Sequence, residues 1–246
     1  MTVRIGVVVF PGSNCDRDTV HALAQAGADP IELWHEEASL QGVAAVVLPG
    51  GFAYGDYLRA GVIARFSPVM RSMADFAGDG GLVLGICNGF QVLAEAGLVP
   101  GALLRNRSLR FLGREVAIST ERLDTPFTHA LTAAGPLRMP IAHGEGCYFA
   151  DDPTLDALEP EGRVLFRYVD AAGERAAQDD RVANPNGSLR AIAGVMNAAG
   201  NVAGLMPHPE RASEAILGSE DGAGIVRSLV ESAAKAVGER RVTVGV

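Results

Sequence analysis

The stretch Gly85-Ile86-Cys87-Asn88-Gly89 sets a thiol between the apolar run Leu82-Val83-Leu84 and the helical pattern Phe90 to Ala96. A cysteine at a sharp strand-to-helix turn, with glycine two residues away on each side, has the form of a nucleophile elbow. Such a turn pushes the nucleophile toward an unfavourable backbone conformation and brings neighbouring chain very close, which only glycine tolerates. The free N–H groups and positive dipole end of the helix that follows point at the sulfur and stabilise negative charge there. The competing reading is a buried, inert cysteine at a tight turn. A second segment, Met206-Pro207-His208-Pro209-Glu210, weighs against it. In extended chain, residues i and i+2 point the same way, and Pro209 keeps His208 out of the helical region. An imidazole to take the thiol proton and a carboxylate to orient it are the partners a cysteine nucleophile needs. Taken alone, the pair reads equally as a turn histidine followed by a helix-start glutamate.

Gly50-Gly51-Phe52 follows another apolar run, Val43 to Leu48. Its N–H groups could join that of Asn88 to hold an oxyanion, each such donor contributing roughly 2.7–4 kcal/mol of barrier reduction; an ordinary glycine turn is the alternative. His143 and Glu145, in Ile141-Ala142-His143-Gly144-Glu145-Gly146, form a second H-x-E that mimics the first. His21 and His35 read as surface or packing residues. Cys15 stands at a strand end without flanking elbow glycines, and Cys147 reads as structural. Arg105, Arg107, Arg110 and Arg114 form a basic stretch, either a solvated face or a docking surface.

The elements that must position these groups alternate along the first hundred residues. Val3 to Phe10, Pro30 to Trp34, Val43 to Leu48 and Leu82 to Ile86 read as strands, the first and last buried on both faces. Asp16 to Ala26 and Val62 to Ala77 read as helices, the second interrupted or restarted near Pro68. This alternation predicts a doubly wound, mostly parallel α/β sheet with ligands outside the C-terminal strand ends. From about residue 104 the pattern changes. Val116 to Ser119, Leu137 to Ile141, Tyr148-Phe149, Val164 to Tyr168, Ile192 to Met196 and Val202 to Met206 read as short strands, an antiparallel extension of the same sheet. Asp170 to Ser188 reads as an exposed loop or insertion, and Ile216 to Val237 as a closing helix.

Composition narrows the function classes. The chain has 246 residues, 48% of them hydrophobic, enough for a sizeable core. No apolar run reaches the ~18 residues of a membrane helix. The N-terminus lacks the layout of a signal peptide, so a cytoplasmic protein without membrane attachment is expected. Three cysteines match no zinc or disulfide framework. A net charge of −8 with no basic block argues against nucleic acid. Lys235 is the only lysine, so there is no phosphate-loop G-x-x-x-x-G-K-[ST] and no plausible Schiff-base lysine.

Together the motifs resemble the triad-type glutamine amidotransferases, and within them the family of glutaminase subunits of phosphoribosylformylglycinamidine synthase. The carriers are VVVFPGSNCDRD (Val7–Asp18), LWHEEASL (Leu33–Leu40), LPGGFAYGDYLRAGVIARF (Leu48–Phe66), LGICNGFQVLAEAGLVPGAL (Leu84–Leu103), PIAHGEG (Pro140–Gly146), NPNGS (Asn184–Ser188) and GLMPHPERA (Gly204–Ala212). The G-x-C-x-G element marks the superfamily; F-x-Y-G-D-Y-L-R-x-G and C-N-G-F-Q are more specific to the subunit family. The resemblance implies a class I, flavodoxin-like glutamine amidotransferase domain over 1–246. It implies Cys87 as nucleophile, His208 as base, Glu210 as orienting acid, Gly51 and Asn88 as oxyanion donors and Gln91 as a substrate contact. L-glutamine would be hydrolysed through a thioester, and ammonia would pass to a synthetase subunit, with a small bridging subunit between the two. No metal or cofactor is expected in this chain; ATP and Mg²⁺ would serve the partner, in purine biosynthesis. The Asp170–Ala183 loop looks longer than in compact members. Three rivals remain: a thiol hydrolase of the α/β-hydrolase kind, whose acid precedes its histidine; a nearer one, a relative in the cysteine-peptidase branch with a similar sheet; and a nucleotide-binding or purely scaffolding subunit using Pro11-Gly12-Ser13-Asn14 as a phosphate turn.

Overall fold

The computed structural model describes residues 2–132 and 135–244. Eleven strands run through these residues: β1 (Arg4–Val9), β2 (Asp29–Trp34), β3 (Ala45–Leu48), β4 (Leu82–Ile86), β5 (Ala102–Leu104), β6 (Leu112–Thr120), β7 (Leu137–His143), β8 (Cys147–Phe149), β9 (Val164–Val169), β10 (Ile192–Met196) and β11 (Val202–Leu205). The α-helices are α1 (Asp16–Gln25), α2 (Pro68–Gly78), α3 (Asn88–Glu95), α4 (Asp152–Leu158) and α5 (Ala223–Val244). Nine strands form one sheet in the order β2-β1-β3-β4-β11-β10-β9-β6-β7; β5 and β8 pair separately. β2, β1, β3, β4 and β11 are parallel neighbours, while the pairs from β11 through β10, β9 and β6 to β7 are antiparallel. The sheet is thus mostly parallel in its catalytic half, with an antiparallel extension.

The apolar runs explain the core. β3, β4, β9, β10 and β11 are buried along their whole lengths, as strands covered on both faces must be. Each fully buried valine or leucine side chain contributes about 1.5–3 kcal/mol. α1 packs on β1, β2 and α5, and α3 on β3, β4 and β11. The chain moves from β1 outward to β2, then back past β1 to β3, β4 and, much later, β11. That reversal is the topological switch point at which doubly wound sheets bind ligands. The turns after β1, β3, β4 and β11 all open there. No helix among the described residues is long and apolar enough to cross a membrane.

Four local expectations are corrected. Ser67-Pro68 starts α2, with Pro68 in its first turn, because proline fits the start of a helix and not its interior; before it, Ala64–Phe66 makes a separate 3-10 turn. The closing helix begins at Ala223, since Gly218 in the left-handed region ends the short turn before it. α4 was not anticipated; its signal is Asp151, whose side chain accepts from the Thr154 N–H at the N-cap. The polar stretch before residue 189 is only partly a loop: Ala183 to Ser188 is buried. Asn186 Nδ2 donates to the Gly146 carbonyl and Tyr168 hydroxyl, and Ser188 Oγ accepts from the Tyr148 N–H. Polar composition there satisfies buried groups.

Candidate active site

Cys87 has φ 49° and ψ −104°, a left-handed conformation that costs a non-glycine residue about 1–3 kcal/mol. Packing holds it there. The Cys87 N–H donates to the Leu205 carbonyl at 2.8 Å, locking the elbow to β11. A Cβ on Gly89 would lie 2.0 Å from the Leu48 carbonyl oxygen, and one on Gly85 2.7 Å from the Gly89 backbone. The two glycines are therefore steric requirements of the turn. The sulfur faces the Ala142 carbonyl at 3.7 Å.

β11 delivers the other partners. His208 is extended, at φ −101° and ψ 92°, as Pro209 demands, and its N–H donates to the Pro140 carbonyl at 2.9 Å. Pro209–Arg211 then makes one tight helical turn. His208 Nδ1 and Glu210 Oε1 lie 2.6 Å apart, with both side chains buried. Burial alone would drive the imidazolium toward its neutral form. The Glu210 carboxylate, and then the neighbouring Cys87 and Cys15 sulfurs, outweigh it, and the His208 pKa stands well above its ordinary value. Nδ1–H is thereby directed at Glu210, leaving Nε2, buried and without a hydrogen-bond partner, for chemistry.

The second H-x-E is arranged differently. His143 Nδ1 meets Asn106 Oδ1 at 3.0 Å. Asn106 Nδ2 donates to the Arg110 and His143 carbonyls, so the amide cannot flip without losing both bonds. Nδ1 therefore carries the hydrogen. Burial, then the nearby charge of His208, lower the His143 pKa to about 3 despite an opposing backbone hydrogen bond. The ring is neutral. Glu145 turns away from it: Oε2 accepts from the Ala60 N–H at 3.2 Å, and Oε1 lies 3.9 Å from Arg105. Asp56, facing Glu145, has its pKa raised to about 6 by burial and then by that neighbouring charge.

Gly51 sits at φ 145°, bridged to Ser13, where a Cβ would lie 2.8 Å from the Asn14 nitrogen. A Cβ on the preceding Gly50 would lie 2.6 Å from the His208 ring, so this turn runs alongside the imidazole. Asn88 is the first residue of α3, where backbone N–H groups have no intrahelical acceptor. Its side chain accepts from the Ala53 N–H at 3.0 Å and donates to Gln91 Oε1 at 2.8 Å. Gln91 Nε2 in turn donates to the Glu145 carbonyl. Gln91 thus spends both ends of its amide, Oε1 on Asn88 within α3 and Nε2 tying α3 to the His143 loop.

Two features escaped the sequence reading. Cys15 lies beside His208 and Glu210, brought there by the turn after β1, 193 residues away in the chain from His208. The only sequence signal was its place at a strand end. The second is a set of exposed apolar side chains in the loops after β3 and β5: Tyr57, Leu58, Leu109 and Phe111, with Leu58 82% exposed and Phe111 against the Phe52 ring. Leu58 and Leu109 also have positive φ. His35 is buried against the Tyr54 hydroxyl at 2.8 Å, and His21 pairs at the surface with Glu214.

A family model described as the CobB/CobQ-like glutamine amidotransferase domain matches residues 2–222. The phosphoribosylformylglycinamidine synthase subunit PurQ of Rubrobacter xylanophilus is 58% identical over 231 residues, 94% of this chain and 99% of that one. Its counterpart from Chlorobaculum tepidum is 57% identical over 228 residues, 92% and 96% of the two chains. Among solved structures, a chain of PurLQS from Thermotoga maritima superposes with a TM-score of 0.81 at 44% identity, covering 94% of this chain and 99% of that one. The glutaminase domain of Trypanosoma brucei CTPS, at 16% identity and TM-score 0.58, shares the fold alone. With identity above one half sustained over nearly the full length of both partners, this chain belongs to the CobB/CobQ-like glutamine amidotransferase family.

Proposed function

We propose that this chain, residues 1–246 as one amidotransferase domain, is the glutamine-hydrolysing subunit of a phosphoribosylformylglycinamidine synthase. The ends of that span, residues 1 and 245–246, lie outside the described residues. The observation that carries the reading is the buried His208–Glu210 pair, 2.6 Å apart and electrostatically coupled to the strained Cys87. Similarity to the PurQ relatives and to the PurLQS chain supports the choice of substrate and partners.

The chemistry follows from the protonation pattern. Cys87 sulfur attacks the side-chain carbonyl carbon of glutamine as the thiolate, the form that is nucleophilic, its proton held by His208. Charge develops on the carbonyl oxygen, where the N–H groups of Gly51 and Asn88 receive it; such donors each contribute roughly 2.7–4 kcal/mol. His208 gives its Nε2 proton to the departing nitrogen, which leaves as ammonia, and a glutamyl thioester remains. Neutral His208 then takes a proton from water, the hydroxide attacks the thioester, and glutamate leaves with the thiolate restored. Glu210 keeps the ring oriented throughout. Gln91 fixes the loop carrying His143 over this site.

Ammonia is then used by an ATP-dependent synthetase subunit, which converts formylglycinamide ribonucleotide to formylglycinamidine ribonucleotide, with a small subunit bridging the two. ATP and Mg²⁺ belong to that partner, and the assembly is cytoplasmic. The exposed Tyr57, Leu58, Leu109 and Phe111 side chains support a partner-covered surface, since exposed apolar groups beyond the usual scatter mark interaction surfaces.

The test is a glutamine-mimicking electrophile followed by peptide mapping, in the free chain and in the assembled complex. Label is expected on Cys87; label on Cys15 or Cys147 would falsify the assignment. Cys87→Ala in the assembled enzyme is expected to abolish glutamine-driven synthesis and leave ammonia-driven synthesis intact. Loss of both activities would make Cys87 a structural residue.

A further inference from the structure

Cys15, His208 and Glu210 each bring one ligand atom into a buried cluster in which these atoms lie within 4.8 Å of one another. Cys87 is not part of this group. The Cys15 N–H donates to the Gly50 carbonyl at 3.3 Å, which anchors the sulfur beside the imidazole. Glu210 spends only Oε1 on His208; its Oε2 is buried with no hydrogen-bond partner. Buried polar atoms of this kind call for an explanation, and a cation in the cluster would supply one. On its outer side the sulfur meets only Arg211 Nη2 at 3.1 Å and the Asn14 side-chain oxygen at 3.3 Å. Arg211 is also paired with Asp18 at 3.0 Å, so it keeps a partner if it leaves the sulfur.

We propose that Cys15, His208 and Glu210 form a site for a borderline divalent cation, Zn²⁺, which switches off glutamine hydrolysis by taking His208 as a ligand. One thiolate, one imidazole and one carboxylate are a donor set that zinc accepts, with bonds of about 2.0–2.3 Å and a fourth position left open. Around such an ion neighbouring ligand atoms stand about 3.5 Å apart, so binding replaces the 2.6 Å hydrogen bond between His208 and Glu210 with two bonds to the metal. The thiol proton of Cys15 and the proton on the ligating nitrogen of His208 both go to solvent. The inhibitory half of the proposal rests on His208 being the base of the reaction proposed above; the binding half does not.

Two arms keep these halves separate. In the first, the full chain is titrated with Co²⁺ and the thiolate-to-cobalt charge-transfer absorption is followed, with no assay of activity. One equivalent is expected to bind in the wild type and in Cys87→Ala, and the band is expected to vanish in Cys15→Ala and in the near-isosteric Cys15→Ser, both checked for folding by circular dichroism. No band in the wild type, or a band that survives Cys15→Ser and vanishes in Cys87→Ala, overturns the site. In the second, Zn²⁺ is added to the assembled complex. Glutamine-driven synthesis is expected to fall by at least about tenfold, with ammonia-driven synthesis as the control for metal effects on the partner. Cys15→Ser, compared with its own metal-free rate, is expected to lose no more than about twofold. Cobalt binding without zinc inhibition would overturn the switch and count against His208 as the base.

Discussion

Two H-x-E segments converge on one nucleophile and reach opposite protonation states. In His208-Pro209-Glu210, the carboxylate bonds its own histidine and the ring is held protonated. In His143-Gly144-Glu145, an asparagine holds the ring neutral and the carboxylate turns toward Ala60 and Arg105. Both rings are buried, so burial does not separate them. The residue between does. Pro209 holds His208 extended, and the tight turn made by Pro209–Arg211 then brings the Glu210 carboxylate back beside the ring. Gly144 imposes no such direction, and the loop after β7 turns Glu145 away. Spacing in a motif thus licenses a pair only when the backbone between its members is constrained. Local charge then decides what each histidine does.

The largest expected effect breaks the comparison at the catalytic pair. His208→Ala should lower glutamine hydrolysis by roughly 10²–10⁴-fold, the usual contribution of a positioned proton-transfer group, while ammonia-driven synthesis persists. Glu210→Gln should fall in the lower part of that range, since the ring remains but loses its orienting charge. If His143→Gln proved as damaging as His208→Ala, and Glu210→Gln harmless, the roles of the two segments would have to be exchanged.

The next effect sharpens the comparison through pH. His143 has a lowered pKa, so below its ordinary value the unfolded ring binds a proton that the folded ring refuses. The resulting penalty is absent above about pH 6.5 and grows as pH falls toward about 3. Its upper bound is about 5 kcal/mol. His208 has a raised pKa, so its stabilisation is fully present below the ordinary histidine value and is lost as pH rises through the folded value. Denaturant unfolding across pH should show His143→Gln flattening the acid limb and His208→Gln flattening the alkaline limb. Identical limbs in both variants would mean that the rings share one environment.

The smallest effect concerns what holds the neutral ring. Asn106→Leu removes the acceptor at His143 Nδ1 and two donors to backbone carbonyls, leaving buried groups unpaired at a cost of about 1–3 kcal/mol each. Reduced unfolding stability with His208-dependent chemistry largely retained is the expected result. Unchanged stability would show that Asn106 is not what fixes the tautomer.

Much of the site was legible in the chain because its constraints are local. A side chain on Gly85 would strike Gly89 at the start of α3, and Pro209 forces extension at His208; these are contacts within or next to one turn. Strand alternation likewise reads directly from apolar runs buried on both faces. What lay beyond the sequence depends on groups far apart along it. The neutrality of His143 needs Asn106, the approach of Cys15 to His208 spans 193 residues, and the burial of Ala183 to Ser188 needs Tyr148 and Tyr168 as hydrogen-bond partners. Sequence alone determined the turn chemistry, through sterics that act over a few bonds. Only the tertiary structure decided which groups share a low-dielectric space, and therefore which histidine holds a proton.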